Sequence, residues 1–382
     1  MKKNFMLALL VLLCILCLPS CNSLSNTEIS KESELPDSDV DSNEKPKEFS
    51  FNTEIEFPEQ SEIMTYSASA MVVEPELIAA SLLPNTDIVF SEQDDGSLSY
   101  QSNDDWLYIN TNTMGFTFSN EEVKIYNQYF NTSAPMYEDL AFISYEDAYT
   151  EISEIIRGLN IGDFEIDKVY TMDREYLKNL EESCLQEENF LDDVAQGRAK
   201  VKGDWSEEEG CYVFYINCYV NKVPVYSETY ENSNQDIISG TYIEVFYSNR
   251  GVISFIAEGL YDIEYDSGHK AALISTEEIK EKISDKYNSV IITSPISIEK
   301  ASIIYLPVMN YEQNKYDLIP VWDISVSQVG HASDKEAFIS EIEAAGLNIE
   351  DYASEIDSLS DETEDIQYNI YFRAEDGMEL LI

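Results

Sequence analysis

YIEVFYSNRGVISFIA, residues 242–257, decides the fold class. Two runs rich in β-branched and aromatic residues, Tyr242 to Tyr247 and Val252 to Ala257, flank the cluster Ser248-Asn249-Arg250-Gly251. Such residues favour strands, and a glycine in the reversal accepts the positive φ that a tight turn needs. The stretch therefore reads as an antiparallel hairpin. Upstream, Tyr212 to Val220 and Val223 to Tyr230 have the same composition and widen the sheet.

Before these strands comes a helix with a marked start and stop. Ser144 caps it and Asp147 follows three residues on. Tyr145, Ala148, Tyr149, Ile152, Ile155 and Ile156 form one apolar stripe, and Gly158 ends it. A strand at Ile166 to Met172 and a helical patch at Tyr176 to Leu180 link the helix to the strand block. A helix laid on an antiparallel sheet gives an α+β fold.

The plan recurs. Ser275 caps a second helix, Glu278 completes the capping box, Ile274 and Ile279 make a hydrophobic staple, and Ile283 and Tyr287 continue the stripe. In Leu318 to Val326 the alternation places Leu318, Trp322, Ile324 and Val326 on a packed face, with Asp323, Ser325 and Ser327 on a face toward water. A further helix spans Ser333 to Ala345 and stops at Gly346. Tyr368 to Arg373 then reaches a turn with Gly377 and resumes at Met378. The two turn glycines, Gly251 and Gly377, are 126 residues apart, and the two caps, Ser144 and Ser275, are 131 apart. Agreement this close favours an internal duplication.

Residues 51–140 read as a smaller N-terminal α+β or mostly β unit, with a short helix at Glu76 to Leu83 and a hairpin at Asp94-Asp95-Gly96. The two duplicated modules then occupy 141–265 and 266–382.

A helix followed by antiparallel strands, closing on a strand, a glycine turn and a last short strand, resembles the PepSY module. Val223-Pro224-Val225-Tyr226 and Leu318-Ile319-Pro320-Val321-Trp322-Asp323 are similar to paired segments of clostridial lipoproteins of unknown function, and the layout resembles regulators of the YycH and YycI type. The resemblance covers residues 145 to 382. It implies two PepSY-like repeats and a role in restraining proteases or adjusting membrane sensor kinases, with no catalytic residues to carry over.

The N-terminus places the protein in the cell. Lys2 and Lys3 precede an apolar run from Phe5 to Leu18, too short for a spanning helix of about 20 residues and suited to a cleaved signal. Leu18-Pro19-Ser20-Cys21 resembles the lipobox of bacterial lipoproteins, with Pro19 where a small residue is usual. That resemblance implies cleavage after residue 20 and lipidation of Cys21, leaving the chain on the extracytoplasmic face of the cell membrane. Residues 21–50 are Ser, Asn, Asp, Glu, Pro and Lys with few large apolar groups, the composition of a disordered acidic tether. Its reach is about 30 Å.

Lys and Arg number 23 against 74 Asp and Glu, a formal net charge of −51. Nucleic acid and anionic headgroups are excluded, because binding them needs neutralising cations. Cationic peptides, divalent cations and solubility are the uses such charge allows. Cys211 and Cys218 lie an odd number of residues apart in one strand and point to opposite faces, so they cannot pair. Cys184 could meet either, but free buried thiols suit a chain long enough to build its own core.

Two histidines, His269 and His331, stand in loop-like sequence without metal or triad partners. The acid pairs Asp94-Asp95, Asp104-Asp105 and Asp192-Asp193 read as solvated. The 26 tyrosines suit sheet edges or a recognition surface. The sequence thus points to a non-catalytic binding or regulatory module with no cofactor or metal, and an unknown envelope protein or peptide as partner. A cell-envelope hydrolase using acidic residues and a purely structural envelope protein are the alternatives.

Overall fold

A computed structural model describes residues 49–52, 62–72, 74–83, 87–110, 114–289, 292, 294–329, 338–339, 342, 349–352, 356 and 365–382. The signal segment, Cys21, His331 and most of the Ser333 to Ala345 helix lie outside the described residues. The fold is α+β, with strands that run antiparallel apart from one parallel pair.

The elements follow the chain as β1 (Phe49–Phe51), β2 (Glu62–Ala70), α1 (Pro75–Leu82), β3 (Val89–Glu92), β4 (Leu98–Ser102), β5 (Asp105–Asn110), β6 (Gly115–Asn120), α2 (Val123–Asn127), α3 (Tyr145–Gly158), β7 (Asp163–Met172), α4 (Arg174–Cys184), α5 (Glu188–Ala195), β8 (Cys211–Val220), β9 (Val223–Pro224), β10 (Tyr230–Glu231), β11 (Ile237–Ile238), β12 (Tyr242–Ser248), β13 (Gly251–Glu258), β14 (Tyr261–Ala272), α6 (Thr276–Asn288), β15 (Ile296–Asn310), β16 (Lys315–Gln328), β17 (Ile366–Arg373) and β18 (Glu379–Leu380).

Sheet one has the order β3-β4-β5-β6-β13-β12-β8-β7, with β9 turned back on β8. Sheet two runs β1-β15-β16-β17-β18, with β2 bridging β16 and β14. The same order of elements occurs twice: α3 precedes the consecutively paired β7, β8, β12 and β13, and α6 precedes β15, β16, β17 and β18. Both caps form. The Ser144 hydroxyl accepts from Asp147 N–H at 3.1 Å, and Ser275 and Glu278 exchange both bonds of a capping box. Ala148, Ile152 and Ile156 of α3 bury against Phe214, Val245 and Phe255. Ile279, Ile283 and Tyr287 of α6 bury against Ile298, Trp322 and Ile324.

Sheet one is closed on its other face too. There α2, α4 and the chain near Trp205 cover Val213 and Phe246. Glu181 pins this cover: it is only 4% exposed, and its carboxylate accepts from Tyr129 O–H at 2.8 Å, Lys202 N–H at 2.8 Å and Gly203 N–H at 2.7 Å. Three donors satisfy a charge that burial would otherwise make costly. The cysteines fall as the alternation requires, Cys211 on this face and Cys218 on the α3 face, and Cys184, Cys211 and Cys218 are all free thiols.

Four expectations change. Strands from residues 51–140 do not form a sheet of their own, since β2 joins sheet two and β3 to β6 join sheet one. The tether ends earlier than Ser50, because Phe49 to Phe51 pair in parallel with Ile296 to Ile298; the Phe-Ser-Phe alternation lets Phe49 stack on Tyr287 at 5.1 Å. The strand expected from Val223 to Tyr230 breaks after Pro224, which has no N–H for the ladder. Tyr226 N–H then donates to Tyr305 O of sheet two at 2.8 Å. Finally, His269 is exposed within β14 and not in a loop. The residues 266–268 form a bulge opposite β2, where Ser267 Oγ accepts from Ser67 N–H at 2.8 Å.

Candidate functional site

Two open strand edges meet at one cleft. β7 is the outer strand of sheet one, and its far end is covered: Tyr137 N–H donates to Val169 O at 3.2 Å and Thr171 N–H to Pro135 O at 2.7 Å. Among the described residues, Asp163 to Lys168 pair only with β8. Among the described residues β14 in turn pairs only with β2. Between the start of β7 and the start of β14 opens a cavity of about 380 Å³, walled also by the ends of β2 and β8. Asn160 and Gly162 hold left-handed φ values of 58° and 96° where the chain turns from α3 into this wall.

The electrostatics of the cleft are acidic. Asp163 and Asp262 stand on its rim, and the outward residues of the two edges include Glu165, Asp167 and Glu264. Burial, then the carboxylate of Asp163, push the Tyr265 hydroxyl above the usual tyrosine range. Tyr219 is raised by burial and by Glu165 and Asp167. The Cys218 thiol on the wall is pushed up to about 12 by burial, so it stays protonated near neutral pH and is a poor nucleophile. Open backbone edges with carboxylates beside them suit an extended, basic polypeptide.

A second cluster lies on sheet two. The segment leaving β9 crosses its outer face as a strap, where Tyr226, Tyr230 and Ile238 bury Ile304, Leu306 and Val321. Tyr230 O–H donates to Pro307 O at 2.5 Å. Asp323, expected to face water, sits at the strap's edge. Burial pushes its carboxyl up to about 6, with Lys300 opposing the shift and Glu228 adding to it. Its Oδ1 is buried without a hydrogen-bond partner among the described residues.

The acids singled out by adjacency do not converge. Asp94 and Asp95 occupy the turn between β3 and β4, where Asp95 Oδ1 accepts from Ser97 N–H at 2.9 Å. Asp105 accepts from Asn120 Nδ2 at 2.5 Å, and Asp193 takes Arg198 Nε at 2.9 Å. Among the described residues no group of three or more His, Cys, Asp or Glu is placed to hold a metal ion. Asp163 and Asp262 escaped notice because almost a hundred residues separate them. Asp323 had a readable signal: Leu318 to Trp322 is apolar in both phases of the strand, which marks burial on both faces.

No family model matches the chain, and no curated protein matches it. Among solved structures, an uncharacterized protein from Eubacterium rectale ATCC 33656 is similar, with a TM-score of 0.53 and 15% sequence identity over 86% of this chain and 90% of that one. At this identity the likeness concerns the fold.

Proposed function

We propose that this chain is a lipid-anchored extracytoplasmic lipoprotein and a non-catalytic binding or regulatory module, which takes up an extended basic segment of an envelope protein or peptide in the cleft between β7 and β14. The observation that carries this reading is the convergence of two open strand edges on one acidic cleft. Strand addition supplies affinity through backbone hydrogen bonds, which any sequence can make. The carboxylates supply choice: they repel the acidic edges of a second copy and favour Lys and Arg. The doubled order of a helix and four consecutive strands supports an origin in two PepSY-like repeats, and with it a restraining or adjusting role toward an envelope partner.

The test is recovery of partners from the native envelope, using the membrane-anchored wild-type chain and an Asp163→Lys/Asp262→Lys variant as baits. A partner held by the wild type and lost from the variant supports the reading; equal recovery by both defeats it. The anchor is tested separately. Cys21→Ser should move the chain out of the membrane fraction, and retention there would defeat lipidation.

A further inference from the structure

We infer that the open face of β4, β5 and β6 is a binding platform for a neutral carbohydrate, stacked on Trp106 and held at its hydroxyls by Ser99, Gln101, Thr117 and Ser119. The cover of sheet one packs on β7, β8, β12 and β13. Beyond it the same face continues over the strands that the N-terminal segment adds. Leu107, Ile109, Phe116 and Phe118 point into the α3 core, so alternation turns Trp106, Tyr108, Thr117 and Ser119 the other way. There Trp106 is 38% exposed. Across the ladder Trp106 stands between Gln101 and Ser119, and Tyr108 between Ser99 and Thr117.

The aromatic pair is held in place. Its rings are parallel to within 7° with centroids 5.5 Å apart, and Trp106 Nε1–H donates to Ser99 Oγ at 3.1 Å. Tyr108 takes one face of the indole, and among the described residues no other ring and no cation lies over Trp106. A guest therefore packs on the side of the indole turned from Tyr108, and not between the rings. An indole fixed in this way offers a large contact area at small entropic cost.

The surroundings select the guest. Ser99, Gln101, Thr117 and Ser119 bring hydroxyls and an amide, which both donate and accept. None of the platform residues is charged, although 25% of the chain is Asp, Glu, Lys or Arg. A phosphate or uronate finds no cation here, and an ammonium finds no carboxylate. A protein hot spot wants an enclosed, desolvated pocket, whereas this face is open and ringed by hydroxyls. A pyranose matches it: the C–H face of the sugar lies on an aromatic ring while the hydroxyls at its rim exchange hydrogen bonds with short polar side chains. None of these residues lines the cleft between β7 and β14.

The chain has three tryptophans, and Trp205 and Trp322 are only 2% and 1% exposed, so acrylamide quenching reads Trp106. The full chain in detergent is titrated with cellohexaose, mannohexaose, maltohexaose and chitohexaose. At least one should protect Trp106 saturably, with equal affinity at low and high salt. By calorimetry Trp106→Ala should abolish that binding, Trp106→Phe should restore part of it, and Tyr108→Ala should weaken it about tenfold, all with cooperative melting retained. Asp163→Lys/Asp262→Lys should bind the sugar like the wild type, which separates a failure of the platform from a failure of the cleft. Protection by none of the four sugars, protection by polygalacturonate or by an envelope protein alone, or a Trp106→Ala variant that binds like the wild type would overturn the inference.

Discussion

The two halves of the molecule use one plan and finish it differently. In sheet one, the insertion between β7 and β8 folds back as α4 and the segment near Trp205, so both faces are closed by the half's own chain. In sheet two, α6 closes one face, and among the described residues the other is covered by a strap lent from the first half between β9 and β12. The strap ends short of Ser325 and Ser327, leaving Asp323 at its edge. The insertions, more than the repeated elements, decide which half is a sealed scaffold and which keeps a partly covered polar face.

Mutations that unseal one half and spare the other sharpen this contrast. The largest effect is expected from Trp322→Ala, which empties the α6 side of sheet two, where Trp322 is 1% exposed; a loss of about 4 kcal/mol in urea unfolding is predicted. Glu181→Ala should cost about 3 kcal/mol, because it leaves two backbone N–H groups without their acceptor and takes from Tyr129 O–H the nearer of its two, Lys200 O at 3.1 Å being the other. Hydrogen exchange should locate that loss in α4 and β8, with β15 and β16 unchanged.

Asp323→Asn works in the opposite direction. The folded-state pKa of Asp323 is raised to about 6 from an ordinary 3.8. Between those values the folded chain holds a proton that the unfolded chain has released, so this group's contribution to stability falls as pH rises from about 4 to about 6. Above that window the asparagine variant should be more stable than wild type by about 3 kcal/mol, and its stability should lack this decline. Equal pH profiles for the two proteins would show that the strap does not bury Asp323. The smallest effects belong to the caps. Ser144→Ala and Ser275→Ala should each cost about 1 kcal/mol in thermal or urea unfolding, because each removes the hydroxyl that accepts from the N–H three residues on.

Much of this scaffold is local and was legible. The caps at Ser144 and Ser275, the stripes on α3 and α6, the 242–257 hairpin and the opposite facing of Cys211 and Cys218 all follow from spacings within one element. The pairing of β6 with β13, and of β2 with both β14 and β16, joins segments more than a hundred residues apart, and no local periodicity encodes such a choice. The cleft was hidden for the same reason, because Asp163 and Asp262 meet only once the two sheets are assembled. Pro224 marked the strap's departure, but the destination on Tyr305 depends on the other half. His269 shows the reverse error: Asp266-Ser267-Gly268 has loop composition, yet Gly268 leaves room for the Tyr66 ring, where a Cβ would come within 2.7 Å, and so the segment bulges inside a strand.

The most direct test of the account is the paired recovery experiment from native envelope. The wild-type chain should retain a protein or peptide partner with a basic, extended segment, and the Asp163→Lys/Asp262→Lys chain, folded and still anchored, should lose it. Retention of the same partner by the charge-reversed chain would contradict the assignment of the cleft as the binding site.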